Sequence, residues 1–182
     1  MQVFLDCDGV LADFDKYASQ LLGMPPREFE ATKHNGNSGP MWKILYEHED
    51  YFYKLPKMPD ADELVAGVIA MGYEPIILTG IPSQDGSDWA IDQKTRWAQD
   101  HFPELEIICC KSKDKFKHMV DGLHNVLIDD WAQHQQVWED AGGTFILHTS
   151  AAKSLRELQS VEYDVMYAWA YGHKQVVDDR RN

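Results

Sequence analysis

Phe4-Leu5-Asp6-Cys7-Asp8-Gly9-Val10 closes the first apolar run of the chain and sets two carboxylates, two residues apart, at the tip of what reads as a buried strand. Side chains alternate along a strand, so Asp6 and Asp8 project to one side and Cys7 to the other. Carboxylates so placed are costly unless a cation or a reaction uses them. The pair points to phosphoryl chemistry, and Gly9 permits a sharp turn where a ligand approaches the backbone.

Outward from this stretch, short apolar runs recur at residues 3–5, 75–78, 107–110, 126–128 and 144–147. They lack alternation, which fits strands covered on both faces and hence a parallel sheet. Helical patterns lie between most of them. Residues 61–71 open after Pro59-Asp60 and end at Gly72, 92–101 close before Pro103, and 131–141 close at Gly142-Gly143. Strand and helix in alternation predict an α/β fold, a doubly wound, Rossmann-like parallel sheet of about five strands.

Alternation fails between the first two runs, where nearly seventy residues intervene and a crossover needs only a dozen or more. Helices are expected there at 14–22, 26–31 and 41–49, broken by Gly23-Met24-Pro25-Pro26 and by His34-Asn35-Gly36-Asn37-Ser38-Gly39-Pro40. The reading is a core of residues 1–12 and 60–182 with a small helical cap, 13–59, inserted above the carboxyl ends of the strands. Gly9-Val10-Leu11 and Leu55-Pro56-Lys57-Met58-Pro59 are its expected hinges. The tail from 162 to 182 carries Tyr163, Met166, Tyr167, Trp169 and Tyr171 before a polar end, and is expected to be a helix lying on the core.

At 182 residues and 44% hydrophobic, the chain suffices for one core and an appendage. A net charge of −13 argues against attraction to polymeric nucleic acid or anionic membranes, leaving a small phosphorylated substrate as the expected partner. Three cysteines, Cys7, Cys109 and Cys110, give neither a disulfide framework nor a zinc spacing, and eight scattered histidines show no paired i, i+4 spacing. Reduced thiols and a cytoplasmic setting are expected, without export or membrane anchoring.

Three further features sit at the ends of later runs. Thr79-Gly80 follows Ile76-Ile77-Leu78 and offers a hydroxyl and amides to a phosphate oxygen. Asp129-Asp130 ends Val126-Leu127-Ile128, and two adjacent carboxylates repel without a cation. Lysines fall between them: Lys94 on the helix after Thr79, then Lys111, Lys113, Lys115 and Lys117, each a point charge suited to phosphate. Taken singly, a strand-end Thr is commonly a turn residue, a lysine cluster a solvated face and Asp-Asp a helix cap.

Together and in this order, Asp-x-Asp-Gly-Val, Thr, Lys and Asp-Asp resemble the four-part signature of the haloacid dehalogenase (HAD) superfamily of phosphotransferases. The stretch from Asp6 to Phe14, Lys94-Thr95-Arg96-Trp97 and Val126-Leu127-Ile128-Asp129-Asp130 are similar to its 5′(3′)-deoxyribonucleotidase branch. The likeness covers most of residues 2 to 150 and is weak in the cap. Where the branch has a hydroxyl residue after the motif Thr, this chain has Gly80, and the loop 81–91 that follows is long and polar.

The resemblance implies a Mg²⁺-dependent phosphomonoesterase acting on deoxynucleoside monophosphates. Asp6 is then the nucleophile and Asp8 the general acid and base. Mg²⁺ bridges phosphate and Asp6, with the carbonyl of Asp8 and a carboxylate from Asp129-Asp130; the family pattern favours Asp130, with Asp129 behind it. Thr79 and Gly80 bind phosphate, as does the third-motif lysine, taken as Lys115 with Lys113 and Lys111 as alternatives, while Lys94 supports the charge. Phe14 lies against the nucleotide, and Tyr46, Tyr51, Phe52 and Tyr53 offer rings for stacking a base, with Trp42 open between packing and binding. Rival readings are a phosphatase for another small metabolite or for a nucleic-acid 3′ end, a phospho-accepting receiver domain, and a non-catalytic nucleotide-binding module.

Overall fold

The computed structural model describes residues 1–34, 36–82 and 87–178. Its strands are β1 (Gln2–Leu5), β2 (Ile76–Ile81), β3 (Ile107–Lys111), β4 (Asn125–Asp129) and β5 (Thr144–Leu147). Its helices are α1 (Phe14–Leu22), α2 (Pro26–His34), α3 (Gly39–Glu47), α4 (Ala61–Ala70), α5 (Asp88–His101), α6 (Gln135–Asp140) and α7 (Ala151–Asp178), with 3₁₀ turns at Ser112–His118 and Ala132–His134.

All strand pairs are parallel, in the order β3-β2-β1-β4-β5. The chain winds outward from β1 through β2 to β3, then returns to place β4 on the other side of β1. That reversal is the topological switch point, where open α/β sheets bind ligands. Asp6 and Asp8 leave β1, and Asp129 and Asp130 leave β4, so the two acidic pairs flank it.

The runs are apolar throughout because alternate residues enter different cores. Val3, Leu5, Ile77, Val126 and Ile128 pack with Leu64, Val65, Val68, Trp97 and Leu158, whereas Phe4, Leu78, Leu127 and Phe145 meet Trp138 on the opposite face. Phe4 and Trp138 meet edge to face at 5.6 Å, and the indole N–H donates to the carbonyl of Thr144. Each such large side chain contributes about 1.5–3 kcal/mol by leaving water.

Two expectations about local structure are corrected. β2 runs on through Thr79 and Gly80, which pair with Cys109 and Cys110, so both belong to the strand and do not follow it. The helix expected over 131–141 starts later, because Asp129 Oδ1 accepts from the N–H of Trp131 at 2.8 Å and holds extended backbone there. Residues 83–86 of the long polar loop lie outside the described residues.

A third correction concerns the tail. Only the first part of α7 lies on the core, with Leu158 buried, Leu155 and Val161 packed beside it and Tyr73 Oη donating to Glu162 at 2.6 Å. Leu155 fits so closely over Gly67 of α4 that a Cβ there would overlap it. α4 has 10 residues and α7 has 28, so by helical rise α7 is longer than α4 by about 27 Å. Tyr163, Met166, Tyr167 and Trp169 are therefore exposed; the side chain of Tyr171 and residues 179–182 lie outside the described residues. No described helix is long and apolar enough to cross a membrane.

Between β1 and α4, helices α1, α2 and α3 pack on one another. The segments entering and leaving them, the expected hinges, run side by side: Asp13 N–H donates to Pro56 and Met58 N–H to Leu11, both at 2.8 Å. α5 then fastens the exit segment. Gln93 accepts from the N–H of Phe52, Arg96 pairs with Asp50, Trp97 donates to the carbonyl of Leu55 and Asp100 accepts from Tyr53.

Candidate active site

The turn after β1 is built on Cys7, whose carbonyl accepts from the N–H groups of Leu11 and Ala12 at 2.8 Å. Gly9 has φ +77°, a left-handed conformation that side chains resist, and a Cβ on it would overlap the carboxylate of Asp130. Glycine is required here on both counts. Asp130 thus leans across the turn toward the Asp6 and Asp8 side of the sheet.

Asp6, Asp129 and Asp130 each offer a carboxylate oxygen, all within 4.8 Å of one another. Lys115, on the 3₁₀ turn after β3, reaches into this group with Nζ 2.9 Å from Asp6 Oδ1 and 2.7 Å from Asp129 Oδ2. Of the lysines Lys111, Lys113 and Lys115, it is the buried one. Burial alone would lower its pKa, but Asp6 and Asp129 together raise it, so it stays charged.

Burial, then Asp6, pushes Asp129 to about 6 against the opposing Lys115. Burial followed by Asp6, Asp129 and Asp8 lifts Asp130 to about 7. One lysine does not balance three carboxylates. Both oxygens of Asp129 are already engaged, one by Lys115 and one by the N–H of Trp131, while Asp130 lines the open cavity.

Asp8 faces the same cavity with a carboxyl whose pKa is raised by burial, in opposition to Lys94. Lys94 itself does not line the cavity. It is buried beneath Asp8, with Nζ 2.6 Å from Asp8 Oδ2 and 2.9 Å from Thr79 Oγ1. Lys94, expected to support the charge from the helix after Thr79, thus pairs with Asp8 and stands outside the cavity lining. Thr79 is also fully buried and accepts from Lys94.

The cavity holds about 180 Å³ and runs from Asp6, Asp8 and Asp130 up to Phe14, Met41 and Trp42 of the inserted helices. Phe14 and Trp42 lie 5.8 Å apart, centre to centre. The other aromatics proposed for base stacking go elsewhere. Tyr46 on α3 is exposed against Trp89, Tyr51 is buried against Phe14 and Tyr17 of α1, and the exit segment turns Phe52 and Tyr53 toward Trp89 and Arg96 of α5.

Ser112, Arg27 and Trp131 are among the lining residues that escaped sequence reasoning. Ser112 stands so close to Gly80 that a Cβ on the glycine would overlap its hydroxyl oxygen. A hydroxyl from just beyond β3 thus occupies the space that a side chain after Thr79 would fill, two residues past Cys110, the register partner of Gly80, a placement that no local pattern marks. Arg27 on α2 and Trp131 after Asp130 also line the cavity, and no local pattern marks either one.

No protein-family model and no curated sequence matches the chain. Solved structures do match. A hydrolase from Streptococcus pneumoniae TIGR4 superposes with TM-score 0.51 and 12% identity, over 87% of this chain and 97% of its own. A HAD family hydrolase from Deinococcus radiodurans R1, solved with bound phosphate and sodium, superposes with TM-score 0.52 and 15% identity over 84% and 86%. With its strand order and its two acidic pairs about the switch point, the chain has the five-stranded α/β fold of the haloacid dehalogenase type.

Proposed function

We propose that this chain is a phosphomonoesterase that passes a phosphoryl group from a deoxynucleoside monophosphate to Asp6 and then to water. The observation that carries the reading is the convergence of Asp6, Asp8 and Asp130 on one cavity floor, with Lys115 paired to Asp6 behind it, from three separate strand ends. The fold's likeness to a hydrolase with bound phosphate supports it.

Asp6 attacks phosphorus, forming a carboxylate oxygen to phosphorus bond as the ester bond breaks, and the departing oxygen takes its proton from Asp8. Water then attacks the same phosphorus and gives its proton to Asp8, the acyl phosphate bond breaks, and inorganic phosphate leaves. The raised pKa of Asp8 suits a group that must hold a proton and later accept one. Lys115 keeps Asp6 in place, and its charge answers the phosphoryl oxygens. Gly80 and Ser112 line the phosphate end, with Thr79 behind them.

The residues fit Mg²⁺. The donor set is all oxygen, and burial together with Asp6, Asp129 and Asp8 raises Asp130 to about 7, a crowding of carboxylates that a divalent cation would relieve. Asp6 and Asp130 would hold the ion, with the carbonyl of Asp8, whereas Asp129 is committed to Lys115 and the Trp131 turn. Bound there, Mg²⁺ neutralises charge on the transferring group.

We place the leaving group against the helical insertion, read as a cap, with Phe14 and Trp42 forming an apolar wall for a base. A second reading, another small phosphorylated metabolite, is favoured by Asp15 and Glu30 beside Arg27 in the same lining, which suit a hydroxyl-rich leaving group. Phosphate release from a panel of ribo and deoxy 5′- and 3′-monophosphates and sugar phosphates, with Mg²⁺ or chelator, tests both. Turnover is expected to favour deoxynucleotides and to stop with chelator; no release from any ester overturns the proposal.

A further inference from the structure

Lys94 is a cation with almost no solvent contact, carried on the middle of α5 and not needed by the reaction as derived above. Charge in such a place survives only when paired and hydrogen-bonded. An ammonium has three donors. One goes to Asp8 Oδ2 at 2.6 Å and one to Thr79 Oγ1 at 2.9 Å, and Nζ sits 4.4 Å from the centre of the Phe52 ring. Phe52 belongs to the exit segment that α5 grips through Gln93, Arg96, Trp97 and Asp100.

The two oxygens of Asp8 are therefore unlike. Oδ2 is held by Lys94, whereas Oδ1 is buried and has no hydrogen-bond partner. A carboxylate on a short side chain turns easily, and proton transfer to an ester oxygen demands a set position. We propose that Lys94 is a positioning residue for Asp8: by holding Oδ2 it fixes the carboxyl so that Oδ1 meets the departing oxygen. Lys94 also joins Asp8 to Thr79, so acid and phosphate end share one anchor. This inference rests on the phosphomonoesterase reading.

The test uses the effect of leaving group. A deoxynucleoside 5′-monophosphate expels an alkoxide that needs a proton, while p-nitrophenyl phosphate expels a stable phenolate that hardly does. Lys94→Met is expected to lower kcat/KM for the nucleotide roughly 100-fold and for the aryl ester less than about tenfold. Asp8→Asn should show the same bias, and the double variant should be no slower than Asp8→Asn alone, since both act through one group. A crystal structure of Lys94→Met should show the Asp8 carboxylate turned from its place.

Equal losses on both esters, multiplying effects in the double variant, or an unmoved Asp8 would overturn the proposal. Should Lys94→Met not fold, Lys94→Gln, one atom shorter but with two amide donors, is expected to show the same bias at smaller size, and its absence counts equally against it. A wild-type chain that cleaves neither ester refutes the phosphatase reading instead.

Discussion

Lys115 Nζ stands 2.7 Å from Asp129 Oδ2, and this buried pair joins the turn after β3 to the end of β4 across the strand that bears Asp6. The same ammonium reaches Asp6 at 2.9 Å, so one cation holds two buried carboxylates. Removing it leaves both uncompensated. Lys115→Met is expected to cost about 3–5 kcal/mol in urea unfolding and at least about 100-fold in phosphate release. A variant of unchanged stability would show that the pair does not hold the site together.

Asp129 and Asp130 are neighbours with different tasks. Asp130→Asn is expected to weaken Mg²⁺ binding by about tenfold or more in calorimetric titration while leaving the fold intact. Asp129→Asn should instead lower the unfolding midpoint, because Lys115 loses a partner. The reverse pattern would place the ion on Asp129.

Ser112 and Gly80 share one space, so their exchange is informative. Ser112→Ala is expected to raise KM for the phosphate ester about tenfold, the usual size for a lost hydrogen bond to a charged group. Gly80→Ser combined with Ser112→Gly should recover most of it, since the hydroxyl returns from the other strand. Failure of the double exchange with a folded protein would remove Ser112 from the phosphate end.

Trp42 lines the cavity and Tyr46 packs on Trp89, so the two cap aromatics are expected to part company. Trp42→Ala should raise the nucleotide KM about tenfold with little change for p-nitrophenyl phosphate. Tyr46→Ala should leave both alone. Steady-state kinetics on the two esters decides.

His148 is buried after β5, its ring hydrogen-bonded to Ser154 Oγ at 2.9 Å. Burial lowers its pKa, Asp60 opposes and Lys153 assists. Because the folded ring binds a proton less readily than the unfolded one, its contribution is present above about pH 6.5 and is lost as pH falls below that value. Unfolding at pH 5 and pH 8 should differ less in His148→Gln than in the parent; an unchanged difference would clear His148 of a role.

Much of this site could be read from residue order. The acid pair at a strand tip, the Thr and the Asp-Asp pair each follow an apolar run, and a parallel sheet brings all its strand ends to one side. Residues 144–147 were legible as a strand to the residue for the same reason, since burial on both faces leaves an unbroken apolar run. Other assignments depend on contacts between residues far apart in the chain. Lys94 and Lys115 look alike in sequence, yet one lies under Asp8 and the other beside Asp6 because α5 and the turn after β3 approach the sheet from different places.

The same holds for Asp129 against Asp130, for Ser112 over Gly80 and for the rings at 42, 46 and 52. Periodicity tells which residues leave water, since that depends on local spacing. Which neighbour each polar group then meets is decided by packing between strand ends and helices dozens of residues apart, and no local pattern encodes that distance.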